Sequence, residues 1–176
     1  MQEITHTNPD DTIFTYKAGN GVRLGRNVTL GPHVTLSDRV SLGNNASVGA
    51  GATLNNDVSL GNNASVGAGV TLNNDVTLNN DVTLGSGVRL GHHTVADMGV
   101  EISAGTYVPP FHRVVMDEQG QTVIRKMGLG EMKKLFPEFS VFTAATLAAS
   151  QAVQPPAPRN LVTVPPKRGK GERGRG

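Results

Sequence analysis

The sequence predicts an all-β solenoid, a parallel β-helix of about five coils with a cap at each end. Three observations predict it. A six-residue repeat runs from residue 22 to 111 without an insertion. Most units close on glycine, asparagine or aspartate. Residues 42–59 and 60–77 agree at 16 of 18 positions, so three sixes form a longer period.

From Val22 the units read VRLGRN, VTLGPH, VTLSDR, VSLGNN, ASVGAG, ATLNND, VSLGNN, ASVGAG, VTLNND, VTLNND, VTLGSG and VRLGHH, followed by the looser TVADMG, VEISAG and TYVPPF. The first position is Val or Ala from 28 to 88, and the third is Leu or Val from 30 to 90. Such alternation indicates a very short strand with positions one and three inward and the middle Ser or Thr outward. The three remaining residues are mostly types that tolerate a left-handed backbone, so they form a corner. A helix is excluded, because Gly or Asn recurs every few residues and no 3.6 period appears. A hairpin sandwich needs longer strands. Three strands and three corners close one coil of a triangular prism. Residue n then lies under n+18 at about 4.8 Å, and five coils rise about 24 Å. Burying two aliphatics per unit yields roughly 3–5 kcal/mol, against about 1–2 kcal/mol of backbone entropy for each of six residues. A lone coil therefore cannot stand, and stacking with caps is required.

Four regions follow in chain order. Residues 1–21, with Ile13, Phe14 and Tyr16, form an N-terminal cap, and Tyr16–Gly21 reads as one more unit. Residues 22–112 are the repeat. Residues 113–153 form a hairpin and helical cap: two strands in 113–128 around Glu118–Gly120, a helix over Leu129–Phe136 broken by Pro137, and a second helix over Glu138–Val153 with apolar residues at three- to four-residue spacing. Residues 154–176 are rich in proline, glycine and basic side chains and read as a disordered tail.

Charge is unevenly distributed. Residues 1–21 carry one lysine against three acids and residues 22–112 four arginines against six, −2 each, whereas 113–176 carry eleven basic groups against five, +6. Residues 167–176 could hold a polyanion, nucleic acid or anionic lipid, by counterion release, although no aromatic residue is interleaved to stack bases. Without cysteine there is no disulfide, thiolate nucleophile or cysteine metal site. No apolar run reaches membrane-span length, and the start lacks a secretory pattern, so the expected compartment is the cytoplasm.

Residues 42–80 contain no histidine, aromatic or basic side chain, so a chemical site belongs to the end coils. Taken literally, the period of eighteen stacks Asp57, Asp75 and His93 in one column and Asn56, Asn74 and His92 in the next. His93 one rung above Asp75 is the arrangement of a carboxylate-oriented general base. His33 fits its unit as an ordinary corner residue. Thr35, Thr53 and Thr71 stack on one face, a solvated β-surface closed by Arg89 and Tyr107.

The units LGPHVT, LGNNAS and VGAGVT, together with the exit segment VPPFHRVVMDEQGQTVIRK, resemble the hexapeptide-repeat, left-handed parallel β-helix superfamily over residues 22 to about 126. Bactofilin-type right-handed β-helices are the competing solenoid, and their repeats lack this six-residue corner. The resemblance implies the left-handed coil, which runs against the usual crossover rule, and a homotrimer. It also implies acyl-CoA, such as acetyl-CoA, as co-substrate if the chain is an acyltransferase. His93 or His92 would then be the base beside Asp75, with Arg89, Asp97 and His112 holding substrate. The γ-class carbonic anhydrases share the prism, but their His-x-x-x-x-His pair is absent, so no metal is expected. Two functions remain: a structural or binding rod whose helices 129–153 contact a protein partner, and an O- or N-acyltransferase. Uninterrupted units and the duplicated coil favour the rod.

Overall fold

Every sixth residue from Gly21 to Phe111, sixteen in all, has a positive φ between 54° and 73°. The computed structural model describes residues 1–141. Six of these left-handed residues are Gly and six are Asn or Asp, the types that enter this region most cheaply. His33, Arg39, His93 and Phe111 adopt it as well. The conformation turns each corner so that its N–H reaches the coil below: Asp75 N–H donates to Asn56 O at 3.0 Å and His93 N–H to Asn74 O at 3.1 Å.

Between corners lie fifteen two-residue strands, β3 (Arg23–Leu24) to β17 (Tyr107–Val108), after β1 (Gln2–Thr7) and β2 (Ile13–Ala18). Every pairing among the two-residue strands is parallel with an eighteen-residue register, as in Thr35↔Thr53, Thr71↔Arg89 and Thr77↔Val95. Three flat sheets result. Face A carries Thr35, Thr53, Thr71, Arg89 and Tyr107; face B carries Ser41, Ser59, Thr77 and Val95; face C carries Thr29, Ser47, Ser65, Thr83 and Glu101. Positions one and three fill the shaft: Val34, Leu36, Leu54, Val70, Leu72 and Leu90 are each at most 1% exposed.

The corners are themselves ladders. On the B–C corner the N–H groups of Arg26, Asn44 and Asn62 each donate to the asparagine side chain eighteen residues on, all at 2.8 Å. Beside them the side chains of Asn27, Asn45, Asn63 and Asp81 form a second chain of bonds at 3.2, 3.1 and 2.8 Å. Asparagine recurs because its amide both donates and accepts. Glycine opens this corner for a steric reason. A Cβ on Gly43 would stand 2.5 Å from the Gly61 backbone.

Below, β1 and β2 form an antiparallel hairpin, and β2 continues face A in register, Lys17↔Thr35 and Ala18↔Leu36. That register buries Tyr16 and Ala18 and turns Ile13 outward, 62% exposed, so Ile13 does not serve the cap as expected. The hairpin turn seals face C. Asn8 donates to Leu30 O at 3.0 Å and accepts from Leu30 N–H at 2.8 Å, reproducing the bonds of a missing strand. His6 Nε2–H donates to Val28 O at 2.8 Å alongside.

Above, β18 (His112–Met116) and β19 (Thr122–Lys126) form the predicted hairpin, with Asp117 Oδ1 accepting from the N–H groups of Gln119 and Gln121 in its turn. Then come α1 (Leu129–Leu135) and a 3-10 turn, Pro137–Val141, where the second helix was expected to begin. The rest of that helix, residues 142–153, and the basic tail, 154–176, lie outside the described residues. One unit keeps the inward and outward positions but exchanges the residue types at the first two. In Thr94-Val95-Ala96 the threonine points inward, donating to Gly91 O at 2.8 Å, and Val95 points outward under Met127, Met132, Phe136 and Phe139. The apolar residue on the outer face of β15 is what receives the C-terminal segment.

Asn8→Ala strands the Leu30 N–H and C=O. It should lower stability by about 1–3 kcal/mol in urea unfolding. Thr12→Ala, which removes exposed hydrogen bonds to Asn8 and Asp10 but leaves the Asn8–Leu30 pair in place, should cost far less.

Candidate functional site

The A–B corner is unlike the other two. From bottom to top its left-handed residues are Gly21, Arg39, Asp57, Asp75, His93 and Phe111, a single column because each lies eighteen residues above the last. Arg39 grips Asp57 with two bonds of 2.6 Å, which holds that carboxyl below its ordinary range. Asp75 has no arginine. Its Oδ2 lies 3.5 Å from His93 Nε2, and burial, opposed by His93, pushes its carboxyl upward.

His93 is only 16% exposed. Its ring stacks on Phe111 at 5.2 Å and meets Phe136 and Phe139 edge-on at 4.9 and 4.8 Å. Glu138, from the 3-10 turn, lies 3.0 Å from Nε2. A carboxylate only accepts, so Nε2 carries the proton in this arrangement. Nδ1 is buried without a hydrogen bond among the described residues. The C-terminal segment is therefore fastened over the one corner where the repeat turns irregular.

A second cluster holds the same segment at the neighbouring B–C corner. Arg113, on β18, donates to Asp97 at 2.8 Å and to Glu131 of α1 at 2.6 Å. Arg125, on β19, donates to both oxygens of Glu131, at 2.7 and 2.9 Å. The two guanidinium groups, Arg125 foremost, hold the Glu131 carboxyl down to about 2.

Of the six site residues expected from sequence, the structure brings together His93 and Asp75. His92 follows the same corner and is exposed. Arg89 stands on face A between Thr71 and Tyr107, and makes no side-chain hydrogen bond or ion pair among the described residues. Asp97 is on the B–C corner, occupied by Arg113. His112 is fixed to the corner that precedes its strand by Nδ1–H donation to Pro110 O at 2.8 Å. Glu138, Glu131 and the phenylalanine box were not anticipated. The unit 94–96, with an aliphatic at an outward position, was the available signal that something packs there. At the other end a recess of about 150 Å³ is lined by Glu3, Thr15, Tyr16, Lys17, His33 and Thr35, so His33 borders a hollow that its place in the repeat did not suggest.

The repeat matches the bacterial transferase hexapeptide family (six repeats) over residues 21–56 and again over 39–74. This is a hexapeptide-repeat β-solenoid. No curated protein matches the solenoid's sequence significantly. Among solved structures, AntD, an N-acyltransferase from Bacillus cereus crystallised with dTDP-4-amino-4,6-dideoxyglucose and coenzyme A, is 14% identical. The match covers 72% of this chain and 87% of that one, with a TM-score of 0.52. WeeI from Acinetobacter baumannii AYE is 15% identical over 58% of this chain and 55% of its own, TM-score 0.42. Perosamine N-acetyltransferase from Caulobacter crescentus is 20% identical over 64% and 54%, TM-score 0.32. The solenoid thus spans little more than half the length of the last two. The likeness to AntD is one of fold. No helix among the described residues is long and apolar enough to cross a membrane.

The two clusters predict opposite responses to neutralisation. Glu131 titrates near 2 in the fold and near 4.5 when free, so its contribution is complete above about pH 4.5 and lost as pH falls toward 2. Glu131→Gln should lower stability at pH 7 by about 1–2 kcal/mol, after allowance for its partly exposed partners, and flatten the acid limb of the unfolding curve. Asp75 is raised instead, so its charged form weakens the fold at neutral pH and the penalty fades as acid protonates it. Asp75→Asn should hold or raise the melting temperature at pH 7 in chelator-treated buffer.

Proposed function

We propose that the protein is a structural or binding rod that assembles as a homotrimer, in which the middle coils set length and the ends and C-terminal segment contact partners. One observation carries this reading. The candidate base, His93, is enclosed by Phe111, Phe136 and Phe139, and its Nε2 is engaged by the chain's own Glu138. Among the described residues Nδ1 has no carboxylate or carbonyl to orient the ring for proton abstraction. Asp97, expected on substrate, is committed to Arg113. The trimer is what hexapeptide-repeat proteins commonly form.

A rod whose middle is a spacer should tolerate the loss of one period. Deleting residues 42–59, nearly duplicated by 60–77, leaves Asp75 under His93 and places Arg39 beneath Asp75. The variant should unfold cooperatively, sediment as the same oligomer and be shorter by about 4.8 Å in solution scattering. A collapsed or aggregated product would count against the spacer role, and a monomeric wild type would remove the trimer.

A second reading is an acyl-CoA-dependent O- or N-acyltransferase, supported by the match to the transferase hexapeptide family, by the fold shared with AntD, and by Asp75 at 3.5 Å beneath His93. In that reading Nε2 must be free to take a proton from the acceptor hydroxyl or amine as it attacks the thioester, so the Glu138 contact must open. Turnover of acetyl-CoA with amine or sugar acceptors that rises in Glu138→Ala and disappears in His93→Ala would replace the rod by the enzyme. No acetyl-CoA binding in a thermal-shift assay with either protein would retire it.

A further inference from the structure

We infer that Asp75, His93 and Glu138 form a binding site for one divalent transition cation, of the zinc or cobalt type, that fastens the C-terminal segment to the rod. The three donors come from three levels of the molecule: one coil, the coil above it, and the 3-10 turn after α1. One atom from each lies within 4.8 Å of the others. His93 Nε2 stands 3.5 Å from Asp75 and 3.0 Å from Glu138. Ligands held about 2.0–2.2 Å from a zinc ion stand roughly 3–3.5 Å apart, so small side-chain movements suffice. Imidazole with two carboxylates is a donor set suited to such ions.

Charge is the independent argument. Asp57 is matched by Arg39, Asp97 by Arg113, and Glu131 by Arg113 and Arg125. Among the described residues Asp75 and Glu138 share only an imidazole, and Asp75 accepts no hydrogen bond. A neutral ring leaves both carboxylates uncompensated, and a protonated ring offsets one of them. A divalent cation offsets both. Protonation of the ring and metal binding at Nε2 alike place a proton on the buried Nδ1, so that cost does not separate them. Lacking an acceptor at Nδ1 among the described residues, the site forgoes the outer hydrogen bond that strengthens tight zinc centres by roughly ten- to a hundredfold, so it binds more weakly than they do. Glu138 and Asp75 remain 51% and 35% exposed, so water can complete the coordination.

This inference does not rest on the rod reading, because a rod without a cation at this corner is still a rod. The test uses the full chain after chelator treatment, titrated by calorimetry with Zn²⁺ and, for a visible absorption signature, with Co²⁺. One ion per chain is expected, with binding weakened at least tenfold in Asp75→Asn and Glu138→Gln. Zn²⁺ should raise the melting temperature of the wild type and leave both variants unmoved. Asp75→Asn is expected to fold at least as well as the wild type without metal, which separates lost binding from lost structure. Absence of stoichiometric binding, or binding unchanged in both variants and therefore due to other histidines, overturns the site.

Discussion

Everything in this molecule depends on the eighteen-residue register between coils. Parallel strands of two residues are too short to hold one another alone, and the corners supply what the strands lack. A left-handed residue at every sixth position aims its N–H at the coil beneath, while asparagine side chains reach the backbone of their neighbours. Backbone pairing, side-chain ladders and the aliphatic shaft therefore share one period. A change of one residue in unit length would put all three out of step at once.

That regularity also decides where chemistry can arise. Equivalent residues stacked vertically present like groups to like groups, which suits asparagine and threonine and suits charge poorly. The A–B corner departs from it, running from arginine through two aspartates to histidine and phenylalanine. Opposite charges at Arg39 and Asp57 satisfy each other. Asp75 is left with a histidine as its nearest counterpart, and the C-terminal segment brings a further carboxylate to the same point. The A–B corner thus brings two carboxylates to one level of one edge with only a histidine between them among the described residues.

The repeat, its outward and inward positions, the vertical stacking of Asp75 and His93, the hairpin after residue 112 and the helix before Pro137 were legible in the sequence because each follows from a local period or a backbone rule. Handedness was not, since alternation and spacing are the same in either hand. Ile13 was misplaced because apolar character alone was weighed, whereas the register of Ala18 under Leu36 fixes which side of β2 faces inward. Glu138 and the phenylalanine box escaped for a different reason. Glu138, Phe136 and Phe139 reach His93 from more than forty residues away with no period to link them, whereas Phe111 stands one period of eighteen above it. Only the inverted order Thr94-Val95 hinted at the contact.

The ends of the three faces carry a consequence for behaviour at high concentration. A stack of identical parallel rungs is a natural seed for fibres, since each open rung can template the next chain. Here face A closes below on β1 and face B closes above on β19, both running antiparallel to the rungs. Face C is plugged by Asn8 below, and Thr122 donates to Glu101 O above. Among the described residues β17 is the open upper edge of face A and β3 the open lower edge of face B, so no face is open at both ends and head-to-tail growth finds no pair of open parallel rungs to join.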